Sequence, residues 1–142
     1  MRGILGLISL LIYFIVGLIC FVMSFTTLFA KKYLPFHEKA AGKKWEELDS
    51  GIKDTILSLI HLSGLGFLIV ALLLTVFPII CHFHPDILLA IAVPILSIVF
   101  CFGLFFINLR LYKKTKANTP WQNSFIAMTA IAVSFVLSLF SL

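Results

Sequence analysis

The sequence predicts an all-α integral membrane protein: a four-transmembrane-helix bundle with a short interfacial amphipathic helix between helices 1 and 2, forming one domain over residues 1–142. Three observations lead there. Of the residues, 61% are hydrophobic and 12% charged, whereas a soluble domain carries roughly a quarter charged residues and about half apolar ones. Four apolar runs, Gly3–Ala30, Ile56–Ile80, Ile87–Leu109 and Gln122–Leu142, measure 28, 25, 23 and 21 residues, and each exceeds the roughly 18 that mark a spanning helix. The runs are apolar on every face, which excludes the alternation of a membrane β-barrel, and a backbone in lipid must then hydrogen-bond to itself as helix.

The first helix is expected over about residues 3–30, closed by Lys31 and Lys32. A cleaved signal peptide fits poorly, because the apolar stretch is about twice the usual 7 to 15 residues and Leu28 would occupy the small-residue position before a cut at Ala30. The interfacial helix is expected over about 36–48. Helical spacing there puts His37, Ala41, Trp45 and Leu48 on one face, with Lys39, Lys43 and Glu46 turned away. Pro35 suits its first turn, Trp45 the headgroup level, and Asp49-Ser50-Gly51 its end.

The second helix follows over about 54–80, and Asp49 or Ser50 can cap its start. The third runs over about 87–109 with Pro94 expected to kink it. The fourth occupies about 120–142. Thr119 as N-cap, Pro120 at the first helical position and Gln122 at the third spell a capping box, with Trp121 as an interfacial anchor. Small residues recur at Gly17, Cys20 and Ser24 on helix 1 and at Ala130, Ser134 and Ser138 on helix 4, a spacing that lets helices approach closely inside a bundle.

Charge sets the expected orientation. Lys31, Lys32, Lys39, Lys43, Lys44 and Lys53 lie between helices 1 and 2, and Arg110, Lys113, Lys114 and Lys116 between helices 3 and 4, leaving Arg2 alone at the other end. The positive-inside rule places both loops in the cytoplasm and both termini outside. The net charge of +5 therefore points to anionic headgroups on the basic face, with a membrane-protein partner or a second copy as further possibilities, and not to nucleic acid.

Polar residues within the spans are few. His61 lies about one and a half turns inside helix 2 and Asn108 at the basic end of helix 3, and an ionisable group in a membrane is a candidate site. Should His37 fold back over the bundle, then His37, Trp45, His61, Asn108, Arg110, Thr119 and Trp121 could line one cytoplasm-facing pocket, with Arg110 able to meet a phosphate or carboxylate. The alternative is a His61 satisfied by Asn108, a serine or a backbone carbonyl. In the opposite loop, Cys81, His82, His84 and Asp86 are soft and imidazole ligands that could hold Zn or Cu, although the spacing is unlike the usual metal patterns.

Pro35-Phe36-His37, Ala41-Gly42, Trp45, Leu48 and Asp49, then Ser63-Gly64, then Thr115-x-Ala117-x-Thr119-Pro120-Trp121 together resemble a group of small uncharacterised four-span bacterial inner-membrane proteins, in which a Tyr often stands at the position of Phe36. The resemblance covers most of the chain. It implies the bacterial inner membrane and the same four-helix architecture, and it implies no reaction.

Several chemistries lack their residues. Cys20, Cys81 and Cys101 form no Cys-x-x-Cys pair, His61 has no facing partner histidine for haem, and the apolar runs hold no Asp or Glu for proton coupling. No cofactor is expected. The leading expectation is a non-enzymatic bundle that binds a lipid, a small molecule or a membrane-protein partner at its cytoplasmic face. A small oligomeric transporter or channel is the alternative, and a membrane enzyme with a histidine base the third.

Overall fold

The computed structural model describes residues 2–83 and 86–141. The chain forms α1 (Arg2–Leu28), α2 (Pro35–Ala41), a 3-10 turn (Trp45–Glu47), α3 (Ser50–Phe83), α4 (Ile87–Thr115) and α5 (Trp121–Leu139). Four of these, α1, α3, α4 and α5, are long and apolar enough to cross a membrane. The short α2 lies between the first two, as expected.

The four long helices alternate in direction and form a closed ring. α1 packs on α3 and α5, and α4 packs on α5 and α3, the α1–α3 interface being the most extensive. Each contributes to one core: Tyr13, Val16 and Cys20 from α1, Val70, Ala71 and Leu74 from α3, Val93 and Cys101 from α4, and Ile131 from α5. Large side chains such as Leu7, Leu62, Val99 and Ile126 are exposed around the outside, the arrangement expected when the surrounding solvent is hydrocarbon.

The small-residue stripes pack inside the bundle. Gly17, Cys20 and Ser24 are all buried, and a Cβ on Gly17 would meet Thr75 Cγ2 at 2.6 Å and the Ala71 carbonyl oxygen at 3.3 Å. On the other side of α1, Ser9 Oγ donates to the Ser134 carbonyl at 2.9 Å and Ser134 Oγ to the Ser9 carbonyl at 2.8 Å. This reciprocal pair joins α1 to α5 at full burial and satisfies both hydroxyls within the bilayer interior.

Three expectations are corrected. The interfacial helix does not run from 36 to 48: it stops at Ala41 because Gly42 takes a left-handed φ of 65° and its N–H caps the Glu38 carbonyl at 3.0 Å. Trp45 and Leu48 therefore belong to the following turn, with Trp45 outside the helical face expected to carry it. Thr119 does not cap α5, whose N-terminus is Pro120 with no side-chain cap; its hydroxyl reaches instead to α4. Finally, α3 and α4 are longer than their apolar runs, α3 beginning at Ser50 and α4 continuing to Thr115, whereas α1 ends at Leu28 and α5 at Leu139, short of the ends of theirs. Pro78 as well as Pro94 sits inside a helix.

Candidate functional site

The basic end of the bundle carries all seven residues of the expected cytoplasmic pocket, and the structure divides six of them among three local arrangements and leaves His37 outside these. In the first, the His61 ring on α3 donates from Nε2 to the Ala30 carbonyl at 3.1 Å, which requires the proton on Nε2. Ala30 lies just past α1, where helix-terminal carbonyls lack intrahelical partners. His61 thus closes the C-terminal end of α1, one of the alternatives that the sequence allowed.

The second arrangement is aromatic. Tyr33, buried between α1 and α2, donates its hydroxyl to the Lys43 carbonyl, and its ring meets Trp45 edge-on with centroids 5.1 Å apart. Lys53 stands 6.0 Å from the Trp45 ring and reaches the Glu46 carbonyl at 3.5 Å, a cation–π geometry. This packing holds residues 31–49 against the start of α3. Tyr33 was not among the expected site residues, although an aromatic immediately after Lys31-Lys32 is a readable interface signal.

The third joins α4 to α5. Asn108 Nδ2 donates back to the Leu104 carbonyl at 2.9 Å, and Thr119 Oγ1 donates to the Asn108 carbonyl at 2.9 Å. Trp121 packs between Phe105 and Tyr112, both with centroids 6.2 Å away. Arg110 is exposed on the same stretch of helix. With Lys113 and Lys114 it occupies positions i, i+3 and i+4, so the three guanidinium and ammonium groups share one side of the last turns of α4.

His37 stands apart from these. Its ring lies 4.0 Å from that of Phe36, and Nδ1 is buried without a hydrogen-bond partner. Burial pushes its pKa below the ordinary histidine value, because a charged imidazolium is disfavoured where water is excluded. Among the described residues no hydrogen bond or ring contact joins His37 to His61, Asn108 or Arg110.

At the far end, the expected metal group falls partly outside the described residues, which exclude His84 and the side chain of His82. Asp86 Oδ1 accepts from the Leu88 and Leu89 N–H groups at 2.9 and 3.2 Å and so caps α4. Cys81 Sγ lies 4.0 Å from the Asp86 carbonyl oxygen. Among the described residues no three His, Cys, Asp or Glu side chains gather as a metal site.

A feature that sequence reasoning missed lies nearby: a cavity of about 600 Å³ bounded by α1, α3, α4 and α5, with Tyr13 among its walls. A signal for it existed, since Tyr13 is a tyrosine well inside an apolar run. Comparison of the chain with protein-family models, with curated proteins and with solved structures gave no match. The four-span architecture accordingly stands on the chain's own sequence and structure.

Proposed function

We propose that this multi-pass membrane protein is a non-enzymatic bundle whose basic end binds anionic lipid headgroups, with that end facing the cytoplasm of a bacterial inner membrane and both termini outside. The observation that carries the reading is the end of α4. Arg110, Lys113, Lys114 and Lys116 follow one another with no acid between Asn108 and Trp121, whereas the six lysines from Lys31 to Lys53 are offset by Glu38, Glu46, Glu47, Asp49 and Asp54. Cations at a helix C-terminus are favoured by the helix dipole, and each lysine or arginine near an anionic surface adds about 1 kcal/mol of attraction. Tyr112 and Trp121 beside them are residues that favour headgroup level.

A catalytic reading gains less support. The polar side chains nearest this end are engaged with backbone carbonyls, His61 with Ala30, Asn108 with Leu104 and Thr119 with Asn108, which are structural duties. Native mass spectrometry of the protein released from nanodiscs of phosphatidylglycerol or of phosphatidylcholine tests the proposal. Retained phosphatidylglycerol, reduced in the triple variant Arg110→Gln/Lys113→Gln/Lys114→Gln and only slightly by Lys39→Gln, is the expected result. Equal retention of the two lipids, or no effect of the triple variant, would overturn it.

A further inference from the structure

We infer that the cavity at the end of the bundle away from the basic loops is a binding site for an uncharged, largely hydrocarbon molecule that carries a carbonyl or hydroxyl oxygen. This site is separate from the headgroup face proposed above and does not depend on it.

The cavity's size, about 600 Å³, falls in the range of small-molecule sites, roughly 300 to 1,000 Å³. Its described lining comes from the far halves of α1, α3 and α4 and from Ser138 and Ser141, and no charged side chain is among those residues. A charged ligand would find no counter-charge among the described lining residues, which a low-dielectric site penalises heavily. That lining favours a neutral occupant.

Tyr13 supplies the polar point. Its side chain is 6% exposed and its hydroxyl makes no hydrogen bond. The nearby serines give their own protons to carbonyls, Ser9 and Ser134 to each other's and Ser138 to that of Phe135 at 2.7 Å, and none of their oxygens completes a hydrogen bond with the Tyr13 hydroxyl. A buried O–H left unbonded is unfavourable, and an oxygen on the ligand would satisfy it.

Two prolines add acceptors. Pro78 and Pro94 line the cavity from α3 and α4, and neither has an N–H to give to the carbonyl four residues earlier, that of Leu74 or Ala90. Leu74 and Ala90 are themselves lining residues, so a ligand hydroxyl would find acceptors as well as the Tyr13 donor. A second cleft of about 280 Å³ shares Leu10, Leu74, Pro78 and Ile79 with the cavity and continues past Leu11 and Phe14, both of which are exposed on the outside of the bundle. That cleft gives a hydrocarbon tail a route into the surrounding lipid.

The same chemistry could come from a neutral bilayer lipid, through an ester carbonyl, or from a free isoprenoid or quinone-like molecule. A benzophenone bearing an alkyl chain carries the required carbonyl and cross-links to neighbouring C–H bonds on irradiation. With the full chain in phosphatidylcholine nanodiscs, we expect saturable labelling mapped to residues 7–13, 74–79 and 90–94. Tyr13→Phe should raise the half-saturating concentration about tenfold, the loss of one hydrogen bond. Gly6→Leu, where the first carbon added meets only the Ser141 side chain at 3.4 Å, adds a side chain at a lining position and should abolish saturable labelling while the melting temperature is kept. Displacement by diacylglycerol would assign the site to a bilayer lipid, and displacement by a short-chain prenylated benzoquinone to a free small molecule. Labelling that spreads evenly over the exposed outer residues, that neither competitor displaces, or that is unchanged in both variants would overturn the inference. None of these outcomes bears on phosphatidylglycerol retention at the other end.

Discussion

Gly64 on α3 meets α1 so closely that a single added carbon has no place to go. Its Cβ would fall 2.7 Å from Thr27 Oγ1, 2.8 Å from Leu28 Cγ and 3.0 Å from the Leu28 backbone nitrogen. The first two contacts could shift; the third is main chain and cannot. Gly64→Ala should cost about 1 to 3 kcal/mol, the usual penalty for overpacking. Gly103→Ala, with nothing within 4 Å of its added carbon, should be neutral or slightly stabilising because alanine is the better helix former. Thermal melting of the two variants in one detergent separates them, and equal melting temperatures would show that α1 and α3 do not approach this closely. In the sequence the two glycines look alike. Only the neighbour that each one faces distinguishes them.

At the scale of the element, α2 shows how a single residue overrides a periodic pattern. The spacing of His37, Ala41, Trp45 and Leu48 was compatible with a helix of thirteen residues, 36–48, but Gly42 adopts φ 65° and ends it after Ala41. A left-handed cap at glycine carries little steric penalty, so termination won over a weak amphipathic continuation. What remains is a short element that contacts α4, with His37 half-buried and its pKa lowered by that burial.

The sign of the resulting pH dependence follows from which state binds the proton. An unfolded histidine titrates near 6.5, while the packed His37 resists protonation, so below about pH 6.5 the detached state gains a proton that the docked state refuses. Docking of α2 should weaken as pH falls from 7 to 5 and stay level above 7. Trp45, linked to α2 through Gly42 and the turn, is a suitable reporter: its fluorescence in a Trp121→Phe background should change over that acidic range, and His37→Leu should flatten the response. A response that survives His37→Leu would place the titrating group elsewhere.

For the whole molecule, the decisive asymmetry is charge against end. Ten of the eleven basic residues belong to the loops and helix ends at the α1–α3 and α4–α5 connections, and Arg2 alone lies at the other. With four spans the termini must share a side. In a Cys81→Ser background, Gly3→Cys should react with an impermeant maleimide on intact cells, and Lys43→Cys only after permeabilisation. The reverse pattern would invert the proposed orientation and place the headgroup face on the outer leaflet.

Composition, run length and lysine placement were enough to determine the class, the number of spans and the ends at which the charged loops gather. Those properties depend on how each segment partitions between water and hydrocarbon, a matter of local content. The partners of His61, Thr119 and Trp121 were not legible in that way, because each is chosen by a neighbouring helix: the Ala30 carbonyl, the Asn108 carbonyl, and the rings of Phe105 and Tyr112. The cavity beside Tyr13 was decided only by the tertiary structure. Ser9 on α1 and Ser134 on α5 allow those helices to close tightly, and α3 and α4 carry prolines where the space remains; which volume is left unfilled depends on the packing of all four helices together.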